Sequence, residues 1–135
     1  MTVVLDASAG IEVVLSRSRS IDIASVLESS KRVYAPGLYK AEITNALWKY
    51  LRTGQLSKED AKEALRIALG LIDEYVNIQD FTDEVLSESV RLNHSAYDMS
   101  TPVKALIPSA ERRGHITAGR YMSFKLVTRY VMGYA

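Results

Sequence analysis

Short β-branched apolar runs alternate along this chain with stretches of helical periodicity, and that alternation restricts the fold more than any other feature. Thr2 to Leu5 is apolar and ends at Asp6, the pattern of a strand buried on both faces that delivers a polar residue at its carboxyl end. Ser8 starts a helix that continues through the apolar segment Ile11 to Leu15. Ser16 to Ser20 reads as a turn, and helical spacing resumes from Ile21 to Leu27. Arg32 to Ala35 is a second short strand. Pro36 suits a helix start, after which Ile43, Leu47, Tyr50 and Leu51 repeat at helical spacing, with Glu42, Asn45 and Lys49 on an adjoining polar face. Thr53-Gly54 ends that helix. Ser57 to Asp60 resembles a capping box, and Ala61, Ala64, Leu65, Ala68, Leu69 and Ile72 form the apolar stripe of the helix that follows. Tyr75 to Ile78 is a third strand, and Thr82-Asp83-Glu84 caps another helix through Leu92.

Strands alternating with helices over short connections predict an α/β fold with a mostly parallel central sheet flanked by helices. The ligand crevice of such a fold lies at the carboxyl ends of the strands, where Asp6 would sit. An apolar share of 47% and a charged share of 24% supply one core, and 135 residues are expected to form a single domain. No internal repeat, linker or low-complexity segment divides the chain. No apolar run approaches the roughly 18 to 20 residues that span a bilayer, and the opening Met1 to Asp6 lacks a basic segment, so a cytoplasmic protein without membrane contact is expected. The absence of cysteine excludes disulfides, thiolate zinc sites, iron-sulfur clusters and a Cys nucleophile.

A net charge of +1 conceals an asymmetry. Residues 1 to 98 carry 11 basic and 15 acidic side chains, and residues 99 to 135 carry 6 and 1. The basic end could meet nucleic-acid phosphates, neutralise the acidic part of its own fold, or stand solvated.

Most acids, among them Glu59, Asp60, Glu63, Asp73, Glu74, Asp80, Asp83, Glu84 and Glu88, occupy helix caps or polar faces. Asp6, Glu42 and Asp98 differ, because each adjoins apolar residues where a strand end or helix start could face the crevice. Burying three carboxylates together costs several kcal/mol per uncompensated charge, which a divalent cation could offset. Oxygen ligands with almost no His or Cys nearby suit magnesium or manganese better than zinc.

The segment Val3-Val4-Leu5-Asp6-Ala7-Ser8-Ala9 resembles the opening strand of PIN-domain ribonucleases, especially the VapC-type toxins of toxin-antitoxin pairs. The stretch Tyr34 to Leu47, with Pro36, Leu38 and Glu42-Ile43-Thr44-Asn45-Ala46-Leu47, is similar to a more specific helix motif of that family. Asn93 to Asp98 resembles the family segment ending in Tyr-Asp. The resemblance covers about residues 1 to 98. It implies a three-layer PIN-like domain that cleaves RNA phosphodiester bonds with Mg2+ or Mn2+. Asp6, Glu42 and Asp98 would be the catalytic, metal-holding acids, with Ser8 and Asn45 supporting them. It further implies a homodimer and a cognate antitoxin protein as partners.

Beyond Asp98 the sequence departs from that pattern. Pro102 and Pro108 interrupt the expected helix, and Thr117-Ala118-Gly119 stands where the family has Thr-x-Asp, so Gly119 replaces a fourth carboxylate. Glu111 is the only acid there. His115 to Ala118 and Lys125 to Met132 read as strands, and residues 99 to 135 form an atypical segment of the domain, from divergence or from an altered reading frame. His94 and His115 read as structural residues. The serines lack a His/Asp partner pattern, and no glycine-rich phosphate loop is present. Trp48 shares a helix with Leu47 and Leu51 and reads as a core or interface residue, with base stacking as the alternative. Two functions follow: a metal-dependent ribonuclease, or a catalytically impaired PIN-like domain that binds RNA or protein.

Overall fold

The computed structural model of the protein describes residues 2–93, and residues 121–124 as backbone. It is an α/β fold. Strand β1 (Thr2–Leu5) is followed by helices α1 (Ala7–Val14) and α2 (Ser20–Ser29), and β2 (Arg32–Pro36) by α3 (Tyr39–Arg52) and α4 (Lys58–Gly70). Strand β3 (Glu74–Val76) then leads through a 3-10 turn, Ile78–Phe81, into α5 (Thr82–Leu92), and β4 is Tyr121–Phe124. The four strands of the described residues are parallel in the order β3-β2-β1-β4.

The register pairs Val3 with Val33 and Val4 with Tyr34 on one side of β1, and Leu5 with Phe124 on the other. Every residue of β1 is buried, Thr2 together with the apolar Val3, Val4 and Leu5, as in a strand covered on both faces. Leu5, Val33 and Ala35 face a core completed by Ala9 and Ile11 of α1, Ile23 of α2, Tyr39, Ile43 and Leu47 of α3, and Ala64 and Ala68 of α4. Small residues on α4 let it lie close to α3. At the amino edge of the sheet, Asp73 clamps β2: its Oδ2 accepts from the Val33 N–H at 2.7 Å, and its own N–H donates to the Val33 carbonyl at 2.9 Å.

Several boundaries differ from those read in the sequence, each for a local reason. Helix α1 begins at Ala7, because Asp6 itself is the cap. Pro36 closes β2 instead of opening α3. It pairs with Val76, and the Gly37 N–H donates to the Val76 carbonyl at 3.0 Å, so no donor is needed from the proline at that point. Strand β3 stops at Val76 because the Asn77 side chain accepts from the Gln79 N–H at 3.2 Å and starts the 3-10 turn. Thr82 is already helical, and its hydroxyl donates to the Gln79 carbonyl. Strand β4 lies between the two segments read as late strands, His115 to Ala118 and Lys125 to Met132, both of which fall outside the described residues.

Candidate functional site

Strands β1, β2 and β3 step outward in one direction, and β4 returns to the opposite side of β1. In an open parallel sheet, the carboxyl edge where strand order reverses is the place at which ligands bind. Here that place lies between β1 and β4, and Asp6 is the first residue beyond the carboxyl end of β1.

Asp6 is half-buried and extended, with φ −88° and ψ 167°. Its Oδ1 accepts from the Ala9 N–H at 2.8 Å, and its carbonyl accepts from the Gly10 N–H at 3.0 Å. The carboxylate therefore caps α1 and lies against the positive end of that helix, which favours its charge. Glu42 occupies the first turn of α3 and is exposed. Since α3 follows the carboxyl end of β2, its amino terminus lies at the same edge of the sheet as that of α1. Two sequence-predicted acids thus share this edge, each at a helix end that stabilises an anion by roughly 0.3–1 kcal/mol. Ser8 lies on the first turn of α1 and is half-buried, while Asn45 lies one turn beyond Glu42 and is exposed. Asp98 lies outside the described residues, as do His94, His115, Glu111 and Gly119. Among the described residues, no three His, Asp or Glu side chains form a metal-ligating group.

Strand β4 flanks Asp6: its Phe124 pairs with Leu5, the residue before Asp6. The position read as a replaced fourth acid, Gly119, lies outside the described residues.

Tyr39, which the sequence reading did not single out, links the two helix ends. It is the first residue of α3 and wholly buried, and its hydroxyl donates to the Ala68 carbonyl of α4 at 3.0 Å. The same hydroxyl rests against Gly10 of α1 so closely that a Cβ there would collide with it. Burial pushes the Tyr39 hydroxyl above its ordinary ionisation range, and nearby Tyr75 and Asp6 add to the shift. A signal was available, because Tyr39 extends the Ile43–Leu47 stripe back by one helical turn. Tyr75 packs against Tyr39, ring centroids 6.3 Å apart, and carries the Lys40 ammonium 4.4 Å above its ring. Glu12 is a buried acid that the sequence reading also passed over. Its Oε2 accepts from the Arg19 N–H at 3.4 Å, and its Oε1 lies 3.7 Å from the Arg17 Nε, which closes the turn between α1 and α2.

Trp48 is half-exposed, so it is not a core residue. Together with Lys40, Ala41, Thr44 and Asn45 it lines an open groove of about 610 Å3 on the outer face of α3. No helix of the described residues is long and apolar enough to cross a membrane. No protein-family model matches the chain, and no curated protein matches it.

Proposed function

We propose that the chain is a divalent-metal-dependent ribonuclease of the VapC toxin type, with a three-layer PIN-like fold. The observation that carries this reading is Asp6, half-buried at the carboxyl end of the central strand where the strand order reverses, with Glu42 at the same edge. An oxygen-only donor set suits Mg2+ or Mn2+, and the two helix ends lessen the cost of gathering carboxylates there. Asp6, Glu42 and, by resemblance, Asp98 would hold the ion, with Ser8 and Asn45 as supporting hydroxyl and amide. A bound divalent ion polarises a phosphoryl oxygen and acidifies a water at neutral pH. The protein's own residues hold negative charge in place: the Ala9 N–H fixes the Asp6 carboxylate, and the buried Tyr39 post sets α1 against α3. RNA, a second copy and an antitoxin protein belong to this proposal as partners, and a cytoplasmic setting as its location.

The single acid after Asp98, Glu111, favours a second reading, a PIN-like module that binds RNA or protein without efficient cleavage. One experiment separates them. Purified wild type should cleave single-stranded RNA in Mn2+ or Mg2+ and stop in chelator, and Asp6→Asn should abolish the cleavage. Cleavage that persists in Asp6→Asn defeats the ribonuclease assignment, and RNA binding by a wild type that never cleaves favours the binding module.

A further inference from the structure

Glu42, Asn45 and Trp48 follow one another at three-residue spacing on α3, so their side chains form a continuous row with neighbours about 5–6 Å apart. The row runs from a carboxylate of the candidate site to the indole, about 9 Å along the helix axis. Asn45 and Trp48 are both in the groove lining. The Arg52 guanidinium lies 5.4 Å from the centre of the Trp48 ring, and the Lys40 ammonium crosses the other end of the groove over Tyr75. Lys40, Lys49 and Arg52 are exposed, and Glu42 is the only acid of α3.

We infer that this face of α3 is a platform for single-stranded RNA, with one base stacked on Trp48 and the backbone led by Lys40, Lys49 and Arg52 toward Glu42. The inference rests on the ribonuclease reading for the direction of the strand but not for the stacking. An exposed indole beside cations is the combination by which proteins hold unpaired bases without sequence preference. Lysine, unlike tryptophan and arginine, is depleted at the core of protein interfaces, and Lys40 and Lys49 both stand exposed on this helix. A second copy docked about a twofold axis through this face would set the three-cation cluster of one copy beside that of the other.

Trp48 is the only tryptophan of the chain, so its fluorescence reports on this position alone. The full-length Asp6→Asn protein, in chelator and at low salt, is titrated with a short single-stranded oligoadenylate. The emission should be quenched with saturation, and a duplex of the same oligonucleotide should leave it unchanged. Trp48→Ala should weaken binding, followed by anisotropy of the labelled oligonucleotide, by roughly 5- to 100-fold, the loss of one stacked base. Trp48→Phe should recover most of the affinity. Absence of quenching, or equal affinity of Trp48→Ala and its parent, overturns the platform. So does a Trp48→Ala protein that changes from dimer to monomer in sedimentation with RNA affinity intact, which assigns the face to a second copy. Binding through Trp48 in a wild type that never cleaves removes the ribonuclease reading and leaves the platform, and cleavage with an unchanged KM in Trp48→Ala does the reverse.

Discussion

The Tyr39 hydroxyl and the α-carbon of Gly10 are packed against each other with no room for a methyl group between them. This contact fixes the separation of α1 and α3, the helices whose first turns carry Asp6 and Glu42. Gly10→Ala would drive a Cβ into the hydroxyl and to 3.1 Å from the Ile43 Cδ1. A loss of about 1–3 kcal/mol in urea denaturation is expected, from overpacking. In a Tyr39→Phe background the same substitution should cost less, because the colliding oxygen is gone. Equal costs in both backgrounds would show that the two residues are not coupled.

Asp6 serves the fold as a cap whatever its chemistry, and its two obvious substitutions separate these roles. Asp6→Ala removes the acceptor for the Ala9 N–H and should lower stability by about 0.5–2 kcal/mol, whereas Asp6→Asn keeps an acceptor and should remain near wild type. Mn2+ should raise the melting temperature of the wild type and of neither variant. A Mn2+ response retained by Asp6→Asn would take Asp6 out of the ion's reach.

Alkaline pH tests the burial of Tyr39. Its proton is held more firmly in the folded chain than in the unfolded one, where tyrosine ionises near 10.0. Below that pH both states are protonated and the residue contributes no pH dependence. Above it the unfolded state binds fewer protons, so stability should fall by up to about 1.4 kcal/mol per pH unit from this one group. Tyr39→Phe should be less stable at neutral pH, through loss of the bond to the Ala68 carbonyl, and should fall less steeply above pH 10 in denaturant titrations. Parallel slopes in the two proteins would contradict the shift.

The parts of the fold that repeat at helical period were legible in the sequence. The Ile43–Leu47 stripe and the Ser57 cap with Ala61, Ala64 and Ala68 appear in the structure as read, since periodicity and capping are local properties. Strand β1 was legible because burial on both faces leaves Thr2 as its one polar residue. Strand β4 was not: Tyr121-Met122-Ser123-Phe124 is too short and too mixed to announce itself, and its identity comes from pairing with residues 2–5, far away in the chain. The apolar run places Asp6 at the carboxyl end of β1, where the structure has it, but a helix read from Ser8 begins one residue late and leaves the capping bond of Asp6 unseen. Beside the apolar Leu47 and Leu51, Trp48 reads as a core or interface residue. The wheel turns it away from the Tyr39–Ile43–Leu47 stripe, which removes the core half of that reading and leaves the indole on the surface.

The central position of β1 also governs the order in which this molecule can be built. Thr2–Leu5 pairs on one flank with residues 32–34, which are made early, and on the other with residues 121–124, which are made more than a hundred residues after β1 itself. Until the late strand docks, the most apolar of the described strands presents a bare edge of N–H and C=O groups, a template for any passing strand, with Asp6 at its tip. Closing that edge and completing the crevice are the same event. A chain interrupted before residue 121 would thus lack one wall of its candidate site and carry an aggregation-prone seam in its place.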